Sequence, residues 1–246
     1  MQNKEAEKKF FDTVTSESPW TTFNKNGQRQ IFLLFEQKVQ PKEGEIAVDM
    51  GCGTGEFTEQ LAQYELKVHG IDIAKNLIDI CKKKHAKNKD MIFEEQDIEH
   101  TNFKENSVDI IFLGGVLHHF PNREKVFKEA YRILKKDGRI YAFDPNYYNF
   151  IIWVYRELLG IKTQKTENEI LVKAQEVREE LRSVGFSEIE VQGAANMTFD
   201  ARYFQKLVPF PLYYGAYIYN AIERAIHCIK PLEKKHGSFV ITYARK

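Results

Sequence analysis

The sequence predicts an α/β fold. Three observations carry that expectation. Residues 45–56, EIAVDMGCGTGE, run an apolar strand into a loop with glycine at every second position (Gly51, Gly53, Gly55), and helical spacing follows at Phe57, Leu61 and Leu66. A second run, Lys67 to Ile73, carries Asp72 near its end, about 20 positions past the glycines. Further apolar runs then alternate with helix-patterned stretches, the order expected of strand–helix–strand units.

In chain order, residues 1–40 read as helical and partly amphipathic. The stretch FFDTVTSESPWTTF holds many aromatics but also Pro19 and turn formers, so a broken helix or a loop is expected there. GQRQIFLLFEQKVQ is a better helix, closed by Pro41, and its apolar period suits packing on a sheet.

In the glycine loop, backbone laid against a ligand cannot carry Cβ atoms at the contact, and some positions need positive φ. The following helix points unpaired N–H groups at the loop, which suits an anionic or carboxylate-bearing ligand. A dinucleotide loop has the spacing G-x-G-x-x-G/A. Counted from Gly51, its third small residue falls on Glu56. The spacing here is G-x-G-x-G, with Asp49 two residues upstream.

VDMGCGTGEF closely resembles the first motif of the class I S-adenosylmethionine-dependent methyltransferases, specifically the small-molecule branch that includes quinone-biosynthesis enzymes. The resemblance covers roughly residues 40–145 by motif. It implies a Rossmann-like, doubly wound and mostly parallel seven-stranded sheet with an antiparallel last strand and helices on both faces. It also implies S-adenosylmethionine as cofactor, leaving as S-adenosylhomocysteine. Asp49, Gly51, Cys52, Gly53 and Gly55 are then cofactor candidates. An N-terminal lid over the cofactor is implied too, with Phe10, Phe11, Trp20 and Phe23 as candidates beside the plainer reading of a packing segment.

Asp72, with Ile73, is placed to take ribose hydroxyls; capping of the next helix, AKNLIDICKKKHAKN, is a compatible alternative. Met91 to Glu95 is the third strand. The resemblance assigns Asp97 to the adenine amino group and Ile98 to the ring face; Asp97 as a turn residue is the alternative. Ser107 to Leu113 reads as a fully buried strand, and Leu113 and Gly114 at its end are further cofactor candidates. His118 and His119 follow. Histidine titrates near neutrality, so each is a candidate general base, with a structural or cofactor-lining role as the alternative.

Asn122 to Lys136 has the apolar face of a helix, KKDG reads as a turn, and RIYAFDPNYYN is the fifth strand with its exit. Asp144-Pro145-Asn146 resembles the acidic–Pro step that lines the substrate side in this family. Tyr147, Tyr148 and Trp153 either floor a pocket or join the core, and Tyr147 is a third candidate for catalysis. Residues 151–172 read as a helix, a polar turn and a further helix start; 174–184 as a helix capped by Gly185; GFSEIEVQGAANMTF as strand six; Ser238 to Ala244 as the last strand.

The expected organisation is a helical segment over 1–40 and a methyltransferase domain over 41–246, with an insertion at about 200–237 between the last two strands. The usual hairpin connection there is only about 2–5 residues. The insertion has an apolar stripe (Ile218, Ile222, Ala225, Ile226, Ile229) and the cations Arg224, Lys230, Lys234 and Lys235. It reads as a helix packed on the domain or, through residues 205–235, as a lid or membrane-surface helix.

Net charge is +1 and no asparagine-proline-proline-aromatic motif is present, so a nucleic-acid substrate is not expected. The three cysteines are far apart, without metal or redox spacing, and no metal is expected. A cytoplasmic setting fits, with peripheral membrane contact as the open alternative. The expected reaction is in-line attack of an O, N or C nucleophile, on a small or lipid-linked acceptor, at the sulfonium methyl. A cofactor-binding regulator and a nicotinamide-dependent oxidoreductase are the rival readings, the second disfavoured by Glu56.

Overall fold

The structure is a computed structural model, describing residues 3–14, 25–149, 168–194 and 215–246. Seven strands form one sheet: β1 Ile46–Met50, β2 Lys67–Asp72, β3 Met91–Glu95, β4 Val108–Gly114, β5 Leu134–Pro145, β6 Ser187–Ala194 and β7 Phe239–Arg245. Their order across the sheet is β3-β2-β1-β4-β5-β7-β6. β1 to β5 pair in parallel, and β7 runs antiparallel to both neighbours. This is the sheet the sequence implied. Chain order reverses between β1 and β4, so their carboxyl ends open a crevice at the switch point.

Strand composition follows from burial on both faces. Val48 and Met50 of β1 join one core cluster with Ile111 and Leu113 of β4, while Ala47 joins a second with Ile110 and Phe112. Alternate residues thus serve opposite faces, as the pleat requires. On the first face lie α5 (Glu124–Ile133) and α6 (Ala174–Val184), through Val126, Phe127, Ala130, Val177 and Leu181. On the second lie α2 (Lys25–Val39) and α3 (Glu56–Ala62), in a cluster rich in aromatic rings that includes Phe32, Phe35, Phe112 and Phe143. Tyr141 of β5 is fully buried there, and its hydroxyl donates to Ile31 O at 2.8 Å, which fixes α2 on the sheet.

α4 (Lys75–Lys84) connects β2 to β3, and α1 (Lys4–Phe11) precedes α2. Two expected boundaries shift. The helix expected over 122–136 ends at Ile133, because Leu134 already pairs with Val108 of β4. The expected KKDG turn becomes a bulge inside β5, with Asp137 at φ 63°. Among the described residues 168–172 no helix starts: Val172 forms a parallel bridge to Asn146, and Ile170 N–H donates to His118 O at 2.8 Å. Extended backbone there satisfies the exits of two other segments. The helix expected from 151 and its polar turn lie outside the described residues, as do Trp20, Phe23, Trp153 and residues 195–214.

The described part of the insertion is two helices, α7 (Gly215–Cys228) and α8 (Lys230–His236). α8 packs on the sheet edge so closely that a Cβ on Gly193 would come within 2.6 Å of Glu233 O. α7 differs: Ile218 is 65% exposed, and Tyr217, Ile222, Ala225 and Ile229 are exposed as well. No helix among the described residues is long and apolar enough to cross a membrane.

Candidate active site

The glycine loop sits at the carboxyl end of β1. Gly51, Gly53 and Gly55 have φ of 80°, 55° and 76°, the left-handed region that side chains resist. Gly51 is also sterically confined: a Cβ would meet Val116 Cγ2 at 2.6 Å. A Cβ on Gly53 would meet nothing within 4 Å, so this position faces open space. The N–H groups of Gly51 and Cys52 donate to Ile71 O at 2.8 and 3.0 Å, which hangs the loop on β2. Cys52 and Cys81 are buried, and Cys81 Sγ lies 3.2 Å from Gly53 O.

The two acids that flank the loop, Asp49 of β1 and Asp72 of β2, are both buried. Asp49 accepts from Thr58 Oγ1 at 2.6 Å, joining β1 to α3, and burial pushes its carboxyl up to about 7. Asp72 accepts from Gly53 N at 3.0 Å and from Ala74 N at 2.9 Å, and burial raises its pKa as well. The capping alternative for Asp72 is therefore present in the structure. A carboxylate has about four acceptor sites, so these bonds do not exhaust its acceptor capacity.

Asp97 lies at the exit of β3, half exposed, 2.5 Å from Lys4 Nζ of α1; Lys4 also pairs with Glu99. Lys8 reaches Glu95 at 2.6 Å. Phe10, Phe11 and Val14 pack against Ala74 and Leu77 at the start of α4. These contacts lay α1 across the carboxyl ends of β2 and β3. Ile98 and Leu113 are core residues beneath, Ile73 is half buried, and Gly114 is hemmed by Phe57, Phe112 and Phe143.

The histidines occupy a single 3-10 turn, Leu117–His119, after β4. His118 receives Asp144 of β5 twice: Asp144 Oδ1 lies 3.0 Å from the His118 backbone N and 3.0 Å from Nδ1. Asp144 is 1% exposed, and burial pushes its carboxyl up to about 8. His119 stacks on His118 with centroids 4.0 Å apart, meets Phe11 edge-on and has Glu7 Oε2 3.3 Å from Nδ1. Burial lowers its pKa, which favours the neutral imidazole. Asn168 Nδ2 donates to Glu7 Oε1 at 2.8 Å and Asn3 N to Asn168 Oδ1 at 3.1 Å, tying α1 to the segment that carries Glu169.

The structure thus gathers Asp72, His118 and His119 with three acids in close range, Glu7, Asp144 and Glu169. Tyr147 stands apart: its ring is exposed, beneath Lys173 Nζ at 4.9 Å and edge-on to Tyr148. Of these residues the sequence marks Asp144, whereas Lys4, Glu7, Asn168 and Glu169 carry no local signal. Lys4 and Glu7 lie in KEAEKKFF, which reads as a solvated helix, and nothing local marks Glu169. An open groove of about 620 Å³ beside α3 and α4, lined by Lys83, Lys84, Lys87 and Met91, touches none of these residues.

A seven-stranded sheet in this order, with a glycine loop at the switch point and an acid at the tip of β2, is the arrangement that the resemblance to class I methyltransferases implies. Residues 48–142 match the family model described as a methyltransferase domain. Among curated relatives it is similar to a demethylmenaquinone methyltransferase of Lactobacillus johnsonii: 32% identity over 154 residues, 57% of this chain and 62% of that one. It is also similar to phosphoethanolamine N-methyltransferase 2 of Caenorhabditis elegans: 26% identity, 64% of this chain and 35% of that one. The chain thus spans less than two thirds of the length of either relative. Among solved structures it superposes on a chain of the complex between the Haloferax volcanii Trm112 methyltransferase activator and a methyltransferase. There the TM-score is 0.71 over 96% of both chains, at 17% identity, a likeness of fold.

Proposed function

We propose that the protein transfers a methyl group from S-adenosylmethionine to a small-molecule or lipid-linked acceptor. The observation that carries this reading is the loop: three alternate glycines at positive φ, tied to Asp72 through Gly53 N, with open space at Gly53. Asp49, Cys52 and the three glycines would cradle the amino-acid end of the cofactor. Asp72 with Ile73 would hold the ribose, and Asp97, Ile98, Leu113 and Gly114 the adenine side. α1 would act as a lid, with Lys4 on Asp97 and Phe11 on His119.

The sulfonium supplies an already activated methyl, so the chain's work is to bind, align and exclude water. On the acceptor side stand His118, oriented by Asp144, and His119, oriented by Glu7. They are the groups to handle a proton lost by an O–H or N–H nucleophile, with Tyr147 as a third candidate at the rim.

Calorimetry with S-adenosylmethionine, S-adenosylhomocysteine and NADH tests the reading. Binding of the first two without the third is expected, followed by methyl transfer in a screen of phenolic, quinone-like and amine acceptors. Binding of NADH instead would overturn it, and cofactor binding without turnover on any acceptor would favour a regulator.

A membrane-surface contact through residues 205–235 is a second part of the proposal. It is supported by the exposed Tyr217, Ile218, Ile222, Ile229 and Leu232, with Arg224, Lys230, Lys234 and Lys235 nearby. Flotation with anionic vesicles, lost on Ile218→Asp, is the expected result. Equal flotation of the variant would remove it.

A further inference from the structure

The turn after β4 sets two imidazoles against a carboxylate from a distant part of the chain. One ring nitrogen of His118, one of His119 and one carboxylate oxygen of Glu169 lie within 4.8 Å of one another. Glu169 is buried and both histidines are half buried. Each imidazole also has a carboxylate at its Nδ1: Asp144 Oδ1 at 3.0 Å from His118, Glu7 Oε2 at 3.3 Å from His119. A metal-binding histidine is held in this way, with a carboxylate on one nitrogen fixing the tautomer for ligation through the other. The supports are themselves fixed. Glu7 is held by Asn168 Nδ2, and Ile170 N–H pins the Glu169 segment to His118 O.

We propose that His118, His119 and Glu169 form a site for one divalent first-row transition-metal ion, whose remaining positions take oxygen atoms of the methyl acceptor. Two imidazoles and one carboxylate suit zinc, manganese(II) or iron(II), and three protein ligands leave positions open for substrate. Bonds of about 2.0–2.2 Å to such an ion require the three side chains to draw together by under an ångström or so. The acceptor part rests on the methyl-transfer reading. There the ion would hold both oxygens of an acceptor such as an ortho-diphenol and lower the pKa of one hydroxyl. That hydroxyl loses its proton to water, and its oxygen attacks the sulfonium methyl. The O–CH₃ bond forms as the S–CH₃ bond breaks, and the electron pair stays on sulfur in S-adenosylhomocysteine. The histidines would then be ligands, and the ion would replace an imidazole base.

The test is metal content by elemental analysis after chelator treatment and equilibrium dialysis against Zn²⁺ or Mn²⁺. The wild-type chain should retain one ion more than the His118→Ala/His119→Ala double variant, which sets the background from other donors such as His85, His236 and Cys228. Glu169→Gln, nearly isosteric, should weaken binding tenfold or more, and Asp144→Asn should weaken it less. Co²⁺ substitution should give visible d–d bands in wild type that shrink in Glu169→Gln and shift on adding catechol. Equal ion counts for wild type and the double variant, both melting cooperatively, would overturn the site. Bands that catechol does not move would overturn the acceptor class. S-adenosylhomocysteine calorimetry on the same samples separates the two readings: cofactor binding without a metal difference leaves methyl transfer standing and removes the metal.

Discussion

The proposed cofactor half and the proposed acceptor half of this crevice are built in different ways. The loop part of the first is local: β1, its glycine loop and the tip of β2 come from residues 46–72, and Asp49 and Asp72 are fixed by partners nearby in the chain or on the adjacent strand, while Asp97 on the same side is met by Lys4 of α1. The second is assembled from afar. His119 meets Glu7 of α1, His118 meets Asp144 of β5, and Glu169 arrives after a long excursion. A site made by one strand–loop–helix unit announces itself in sequence, whereas a site made by docking three segments does not.

The sharpest way to test this division is Gly53→Val. Nothing within 4 Å opposes a side chain there, so the new methyls enter the space proposed for the cofactor. The fold should lose only about 1–2 kcal/mol, from a β-branched residue held at positive φ. Affinity for S-adenosylhomocysteine should fall at least a hundredfold, read by calorimetry beside a thermal melt. Gly51→Ala should do the reverse in part. Its Cβ meets Val116 at 2.6 Å, so stability suffers along with binding. If Gly53→Val binds normally, the loop is not the cofactor cradle.

That contrast also explains what was legible. The strands at 46–50, 67–72 and 91–95 and the helix capped by Gly185 follow from apolar runs, glycines and caps, which act within a few residues, whereas the seven-stranded sheet is what the family resemblance implies. The place of Asp72 at the end of β2 was legible because its distance from the loop is set by one strand–helix–strand unit. Glu7 was not, because its role depends on α1 folding back across the carboxyl ends of the strands, a tertiary event with no local signature. The extended path at 168–173 was missed for the same reason. Its backbone is held by Asn146 and His118, partners that local propensity does not see. Leu134 was assigned to a helix because its apolar period continues that of α5, whereas pairing with Val108 claims it for the sheet.

The acceptor half should answer to a different substitution. Asp144→Asn keeps the shape of a buried side chain but removes the carboxylate that holds His118 at Nδ1. If the two halves are separable, S-adenosylhomocysteine affinity should stay within about threefold of wild type. Turnover, once an acceptor is in hand, should fall by about 10²-fold or more, the scale of a lost proton-handling group. The reading is kcat against cofactor Kd. A parallel loss of both would mean that the halves are one unit and that the Asp144–His118 link shapes the cofactor pocket too.

The smallest expected effect is a pH slope in stability that belongs to the cofactor half. Asp49 is buried, and its folded pKa of about 7 lies above the ordinary value of 3.8. Burial disfavours the carboxylate more than the Thr58 hydrogen bond favours it. The native state therefore holds this proton more tightly than the unfolded chain does. Its contribution to stability is full below pH 3.8 and is lost as pH rises through 7. The slope approaches about 1.4 kcal/mol per pH unit at steepest. Asp144 has a folded pKa of about 8 and adds a similar slope of its own, so the wild-type curve alone does not isolate Asp49. Asp49→Asn does, because the amide oxygen still accepts from Thr58 and no proton is exchanged. Urea unfolding of both proteins between pH 5 and 8 should show the variant gaining on wild type as pH rises. Parallel curves would mean that Asp49 is ionised in the folded protein throughout. The loop would then carry a buried negative charge opposite whatever it binds, and a cationic group on the ligand would become the first contact to look for.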